Sequence, residues 1–235
     1  SIAKFGDAFI DVNRPIIADT AGNTIYLKMD SVMNTPYMKF LSSLSFMYYS
    51  GYYPFKYIEV GPYYSLYSFN PVEGNRFRIG GATLTTLLPK IQFFGHLAYG
   101  TKDKKYKGQA RLTHFFNLKK WSYFRIGYLN DYSILSSSDN AFAVDNIFAS
   151  LSRRVDPRFT HLKRYTAKLL HSWYSGVDNY IEVKTEEFRP IGSLIYQQPD
   201  LTELDLIKLN TVTLGGRFAL DEKFVHYGFR RFSLK

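Results

Sequence analysis

A carboxylate and two guanidinium groups lie close together in the sequence, beside a predicted tight turn. Pro71 and Gly74 favour such a turn, and Glu73 is followed at short spacing by Arg76 and Arg78. A carboxylate accepts charge-assisted hydrogen bonds from a guanidinium fork, which predicts an ion pair here. We interpret the pair as fixing a hairpin, with a gating or ligand-binding role as the alternative. The candidate site residues are Asn70, Pro71, Glu73, Gly74, Arg76 and Arg78.

Other residue types that support catalysis are absent or badly spaced. The chain has no cysteine, which excludes a disulfide scaffold, a thiolate nucleophile and Cys-ligated metal. The five histidines lack metal-ligand spacing. Each is therefore interpreted as a polar residue that would line the lumen or the rim of a β-barrel. His171 and Ser172 are neighbours in a predicted strand, so they point to opposite faces and cannot act as a nucleophile and its base. The sequence predicts a protein that is not an enzyme and has no cofactor and no metal.

The net charge of +10 and the 18% aromatic content also fit nucleic-acid binding. That function needs a compact basic patch, whereas the cations here are spread along nearly every predicted strand and turn. A solvated rim, or one that faces lipopolysaccharide, explains the one dense run of lysines, which comprises Lys102, Lys104, Lys105 and Lys107. We therefore expect no nucleic-acid partner.

The elements that must position these residues begin with one helix. Residues 1–53 are predicted to be a lead-in, irregular or with short strands over 1–28, that contains an amphipathic helix over about 34–50. Thr35 can cap this helix, Pro36 occupies the favoured first position and Gly51 ends it. Apolar residues at spacings of three and four form its stripe: Met38, Leu41, Leu44, and Met47 or Tyr48.

After Tyr53 the polar–apolar period becomes two, which predicts an antiparallel sheet of about ten strands over residues 54–235. Several segments exceed the five or six residues of an ordinary globular strand. Glu182, Lys184, Glu186 and Glu187 suggest that segment 179–189 projects into water. Besides that segment and an arm before Asn70, the predicted strands are 75–83, 91–100, 106–116, 121–129, 161–174, 208–220 and 224–234.

The connections between these segments differ in length. Short polar turns are predicted at 70–74, 101–105 and 117–120, and long connections at 132–159 and 191–206. Short turns at one rim and long loops at the other are typical of outer-membrane barrels. The mean hydropathy of −0.22 does not separate a membrane barrel from a soluble protein, because alternating strands average out in both.

Three further features favour an antiparallel transmembrane β-barrel, or part of one. The strands are long enough to span a bilayer when tilted. Aromatic residues cluster near segment ends, where a membrane interface would lie. The polar face carries recurring cations, namely Arg76, Arg78, Arg111, Arg125, Arg164, Lys168, Arg217 and Arg230. The alternative is a soluble, aromatic-rich β-sandwich that binds glycans or lipids.

Residues 59–81 also carry a resemblance, centred on the run Ser68-Phe69-Asn70-Pro71-Val72-Glu73-Gly74. This region resembles the barrel region of a Bacteroidota outer-membrane family of unknown function, whose members usually begin with a carboxypeptidase-regulatory-like sandwich. Three segments support the similarity from about residue 29 to the C-terminus: Met29-Asp30-Ser31 with Asn34-Thr35-Pro36, residues 98–104, and Phe229-Arg230-Arg231-Phe232-Ser233-Leu234.

The resemblance implies a location in the bacterial outer membrane and carries over no catalytic residues. Family members usually continue for more strands, so we expect the barrel to be incomplete in this chain. The expected role is that of a structural, transport-associated or assembly-associated subunit of an envelope complex. Its expected partners are outer-membrane lipids, lipopolysaccharide and other envelope proteins.

Overall fold

The computed structural model describes residues 29, 31–134, 159–174, 176–192, 194–197, 201–219 and 222–234. The predicted lead-in over 1–28 and most of the long connection predicted at 132–159 lie outside the described residues. The division of the chain at residue 53 stays a prediction. Where the chain is described, the structure is mostly antiparallel β-sheet with few helices, which confirms the all-β class.

One α-helix, α1, spans Pro36–Ser50, close to the predicted range. The side chain of Thr35 accepts a hydrogen bond from the backbone N–H of Met38, and Pro36 begins the helix because its missing N–H needs no partner there. Gly51 ends it in the left-handed region at φ +82°. Within the described part of the chain, no helix is both long and apolar enough to cross a bilayer.

The chain then forms short strands followed by long ones. A 3-10 turn at Tyr63–Ser65 separates β2 from β3. The long strands have 10 to 16 residues. The strands are β1 (Tyr53–Pro54), β2 (Ile58–Val60), β3 (Tyr67–Asn70), β4 (Gly74–Thr83), β5 (Ile91–Gly100), β6 (Tyr106–Asn117), β7 (Ser122–Ile134), β8 (Phe159–Tyr174), β9 (Val177–Pro190), β10 (Tyr196–Gln197), β11 (Glu203–Leu204), β12 (Ile207–Phe218), β13 (Lys223–Tyr227) and β14 (Arg230–Leu234).

Ten of these strands form one antiparallel sheet in the order β1-β2-β4-β5-β6-β7-β8-β9-β12, with β3 also paired to β4. The hydrogen-bonded order is open within the described residues, since it begins at β1 and ends at β12. β10 pairs with β11 inside the predicted long connection at 191–206.

Two strand predictions are wrong. The predicted strand over 224–234 is a separate hairpin, β13–β14, because Gly228, at φ +55°, turns the chain back on itself. Segment 179–189 does not project from the sheet, because β9 pairs along its length with both β8 and β12. Its glutamates are accommodated by cations on the neighbouring strands, as in the pair of Arg164 and Glu186.

The predicted separation of short turns and long connections between the two rims is also wrong. Antiparallel pairing places the turns at 70–74 and 101–105 at the end that carries the connections after β7 and β9. We call this end the loop end. The opposite end, the helix end, carries the turns after β6 and β8, the β13–β14 hairpin and α1. Turn length therefore does not identify the rims.

The two faces of the sheet differ strongly. One face, the inner face, carries buried charged and polar side chains such as Arg76, Lys107 and Glu186, which are at most 7% exposed. The opposite, outer face carries exposed apolar side chains such as Phe93, Val212 and Leu214, which are 51–77% exposed. A buried apolar cluster, formed by Phe115, Tyr123 and Phe229 with their partly buried neighbours, lies at the helix end. Within the described sheet, buried charged side chains therefore lie on one face and exposed apolar side chains on the other.

Candidate functional site

The predicted turn forms a rigid corner at the loop end. The side-chain oxygen of Asn70 accepts hydrogen bonds from the backbone N–H groups of Val72 and Glu73, at 3.1 and 2.8 Å. Such a bond replaces a backbone turn interaction and fixes the chain direction. Gly74 has φ +71°, the left-handed region that favours glycine, and the backbone oxygen of Pro71 accepts from Lys102 Nζ at 2.6 Å. Glu73 is thereby directed into the inner face, where it is fully buried.

Glu73 joins an ionic network that we call the rim cluster, made of Glu73, Arg76, Asp103, Lys107 and Asp131. Glu73 Oε1 accepts from Arg76 Nη1 at 2.7 Å and from Lys107 Nζ at 2.5 Å. Arg76 also donates through both terminal nitrogens to the two carboxylate oxygens of Asp131, each at 2.7 Å. Lys107 completes the network by donating to Asp103 Oδ2 at 2.5 Å. The predicted ion pair of Glu73 and Arg76 is therefore present, within a larger network.

The cluster draws together elements that are distant in the sequence. Arg76 lies on β4 and Asp131 on β7, with β5 and β6 between them. In a flat sheet these strands would be about 14 Å apart, at three strand spacings. A direct bidentate bond over that separation requires the sheet to curl around its polar face. The cluster is thus a product of sheet curvature as well as of sequence.

Arg78 reaches the cluster through His96. Arg78 Nη2 lies 3.1 Å from His96 Nδ1, and a guanidinium can only donate, so Nδ1 is the acceptor and the ring proton lies on Nε2. His96 Nε2 faces Asp131 Oδ2 at 3.5 Å. The sequence pattern predicts only a polar residue at His96, whereas in the structure His96 is buried and links Arg78 to the rim cluster.

The electrostatic balance of the rim cluster is close to neutral. Three carboxylates face two cations, so the formal charge is about −1, and Arg78 supplies a further positive charge behind His96. Burial raises the pKa of the Asp103 carboxyl, but the hydrogen bonds from Lys107 and Tyr132 and the charge of Lys107 together outweigh it and hold that pKa below its ordinary value. Asp103 is therefore a carboxylate at neutral pH. Each carboxylate of the cluster is engaged by a cation, which suits a structural network better than a general acid or base.

Sequence reasoning identified the turn residues and two of the cations but missed their partners. Lys107 had a signal, because it lies on the polar face of its predicted strand. Asp103 and Asp131 had none, since nothing in the local pattern shows which distant strand their carboxylates will face. The polar periodicity of β7 could at most have marked Asp131 as a residue of the inner face.

Neither the histidines nor the serines of the described strands form a catalytic arrangement. His171 and Ser172 have separate partners: His171 Nδ1 lies 3.2 Å from Ser122 Oγ, and Ser172 bonds to Asp178. Ser122 is only 3% exposed and also accepts from the Ser172 backbone N–H, which does not suit a nucleophile that must reach a substrate. The described ranges contain no group of three or more His, Cys, Asp or Glu placed to hold a metal ion.

Comparisons with known proteins add no relative. No family model, no curated protein and no solved structure matches this chain.

Proposed function

We propose that the chain is a segment of an antiparallel β-barrel in the bacterial outer membrane, and that it serves as a non-enzymatic subunit of an envelope complex with a structural, transport-associated or assembly-associated role. The observation that carries the proposal is the reversed distribution of polarity across the sheet. Charged side chains are buried on the inner face, and apolar side chains are exposed on the outer face. A lipid bilayer is the environment in which that arrangement is stable.

The outer face has the composition expected of a lipid contact. Along β4 and β5 it presents Phe77, Ile79, Phe93 and Leu97, which are 51–65% exposed. In water, a soluble sandwich would cover such a face with a second sheet, because exposed apolar area costs about 25 cal/mol per Å². The described residues contain no layer over this face. Acyl chains would cover it at no such cost.

The inner face supports the same proposal through its curvature. At the helix end, the tip of the β13–β14 hairpin crosses the polar face: Arg230 pairs with Glu59 of β2, and Arg231 with Asp178 of β9. These strands are six spacings apart, about 29 Å in a flat sheet, which two adjacent arginines cannot span. A strongly curled sheet with a polar interior is the geometry of a barrel wall.

An open edge in lipid is unfavourable because each unpaired backbone group costs several kcal/mol. In this proposal the edges at β1 and β12 pair with further strands, either from more of the same protein or from a partner. The helix end, where α1 leads into the sheet, faces the periplasm. Partners are outer-membrane lipids, lipopolysaccharide and other envelope proteins. Membership of the Bacteroidota family that residues 59–81 resemble is part of this proposal.

Electrophoretic mobility tests the membrane proposal. A detergent-solubilised barrel should migrate differently before and after boiling, and the protein should need detergent to stay in solution. Unchanged mobility together with solubility in plain buffer would contradict the proposal and favour the soluble sandwich. Purification of the full-length native protein in mild detergent, with identification of what accompanies it, tests the complex. Isolation as a lone monomer would count against that part.

A pair of arginine substitutions tests the outer face directly. Ile79 lies near the middle of β4 and is 65% exposed, whereas Tyr106 lies at the first residue of β6 and is 68% exposed. In a bilayer, Ile79→Arg should cost about 2–4 kcal/mol and Tyr106→Arg about 0–1 kcal/mol, because the penalty falls toward the interface. Urea unfolding in lipid vesicles measures both. Equal, small effects would show that the face meets water.

A further inference from the structure

Three cations lie side by side across the middle of the inner face, and we call them the basic stripe: Arg111 on β6, Arg125 on β7 and Lys168 on β8. Arg125 is directly opposite Lys168 in the β7–β8 register. Arg111 pairs with Gly127 and is therefore the diagonal neighbour of Arg125. Like charges directly opposite each other destabilise a sheet, so this arrangement has a cost that the fold must offset.

Aromatic rings offset part of that cost. The Arg111 guanidinium carbon lies 4.4 Å from the centre of the Phe94 ring, and that of Arg125 lies 4.5 Å from the centre of the Tyr123 ring. Lys168 Nζ lies 3.9 Å from the centre of the Tyr180 ring. Such contacts hold cations in place without neutralising their charge.

Carboxylates neutralise the stripe only at Lys168, and there only in part. Among the described residues, no carboxylate lies within 4.0 Å of the Arg111 or Arg125 guanidinium, and Glu182 lies 3.9 Å from Lys168 while also facing Lys184 at 3.7 Å. Arg111 Nε is buried with no hydrogen-bond partner, and Arg125 Nε donates to the neutral hydroxyl of Thr113 at 3.1 Å.

Arg164 provides the contrast on the same face. It lies on β8 two inner-face positions before Lys168, and its Nε donates to Glu186 Oε1 at 2.5 Å. On the same face, Arg164 therefore has a carboxylate partner, whereas Arg111 and Arg125 have none within 4.0 Å among the described residues. A guanidinium cannot give up its proton at ordinary pH, so the charge of Arg111 and Arg125 has to be met by something other than a protein carboxylate.

A cavity of about 250 Å³ opens beside these groups, and its charged lining consists of the stripe together with Arg164, Lys184 and Glu182. We propose that this cavity binds a tetrahedral oxyanion, a phosphate group that is either free or carried by a small solute. Two guanidinium forks and an ammonium group supply the donors that such an anion needs. The inference deepens the proposed function, on which it rests for a water-accessible inner face, by naming phosphate-bearing solutes as its ligand class.

Calorimetric titration of the full chain in detergent with inorganic phosphate, and separately with glycerol phosphate, tests the site and identifies the source of the phosphate group. Sodium chloride at matched ionic strength gives the reference. The wild-type chain should bind at least one of the two probes. Arg111→Gln combined with Arg125→Gln should weaken that binding at least tenfold, whereas Arg125→Lys, which keeps the charge and loses the fork, should weaken it less.

The change in the unfolding midpoint caused by Arg125→Gln is a second measurement, and its sign separates a binding role of Arg125 from a structural one. In chloride buffer, Arg125→Gln should raise the unfolding midpoint, because it removes the repulsion from Lys168. In phosphate buffer the wild-type chain should gain more stability than Arg125→Gln, since only an intact site binds the anion; the general effect of phosphate on both cancels in the comparison. Arg230→Gln, a matched change at an arginine that pairs with Glu59 and does not line the cavity, should lower the midpoint in both buffers.

The proposal is overturned if neither probe binds, or if the double variant binds phosphate as tightly as the wild-type chain. A loss of stability for Arg125→Gln that is the same in both buffers would also overturn it, because a purely structural arginine behaves that way. These titrations report the site alone. Electrophoretic mobility reports the membrane barrel, so a failure of one proposal is distinguishable from a failure of the other.

Discussion

Replacing Glu73 by Gln is the sharpest test of the rim cluster, because this one carboxylate holds two cations and an amide. Oε1 accepts from Arg76 and Lys107, and Oε2 accepts from Asn70 Nδ2 at 2.6 Å. Every neighbour of the carboxylate is a donor. In either orientation the glutamine NH₂ group therefore meets a donor, and the negative charge between the two cations is lost.

The size of the effect follows from burial. The side chains of Glu73, Arg76 and Lys107 are 1–2% exposed, so water screens the loss very little. Removing one partner from a buried ionic network costs about 3–5 kcal/mol, which lowers the folded-to-unfolded ratio by roughly two to four orders of magnitude. Glu187→Gln is the matched control, because its ion pair with Lys208 joins side chains that are 24% and 62% exposed. That pair should be worth less than about 1 kcal/mol.

Urea unfolding followed by tryptophan fluorescence, in one detergent for all variants, measures both changes. Adding Lys107→Gln to Glu73→Gln should cost less than the sum of the two single changes, because each single change already removes the direct interaction between the two residues. A Glu73→Gln effect as small as that of Glu187→Gln would refute the buried network. Strict additivity in the double variant would refute the coupling between the two residues.

Three further outcomes are expected. Gly74→Ala should destabilise the protein by about 1–2 kcal/mol, because φ at this position is +71°, and urea unfolding checks it. Asp103→Asn should destabilise the protein at neutral pH, because Lys107 favours the charged carboxylate in the folded state. That stabilisation is fully present above about pH 4 and is lost as the pH falls through the lowered pKa of the folded state. The difference in stability between variant and wild type, measured from pH 7 downward, should therefore shrink in acid, and a constant difference would contradict this sign. Phe229→Ala should cost about 3–5 kcal/mol through the lost stacking on Phe115, whose ring centre is 5.1 Å away, and should make the β13–β14 hairpin more sensitive to limited proteolysis.

Much of the secondary structure could be read from local patterns. The helix follows from Thr35, Pro36 and Gly51, whose capping roles depend only on the backbone nearby. The long strands follow from polar–apolar alternation, which depends on the two faces and not on the neighbouring strands. The hairpin at Gly228 was missed because alternation continues through it, and the change of direction rests on a single positive φ.

The candidate site was predictable in part. The turn and the pairing of Glu73 with Arg76 follow from residues three apart in the chain. The partner Asp131, 55 residues from Arg76, depends on how strongly the sheet curls between β4 and β7. Curvature is a collective property of strand twist and side-chain packing, so no single segment encodes it.

The sequence by itself determined that one face of each strand is apolar and the other is polar and cationic, because side chains alternate with a period of two whatever the strand pairs with. Only the tertiary structure decided which face is buried. Its curvature turns the charged face inward, where Arg76 meets Asp131, and leaves side chains such as Val212 exposed on the outside. It also decided which cations find carboxylates, as Arg164 does with Glu186, and which, like Arg111, face one another across the sheet without one. The physical reason is that ion pairing depends on the register and curvature of distant strands, which alternation alone leaves open.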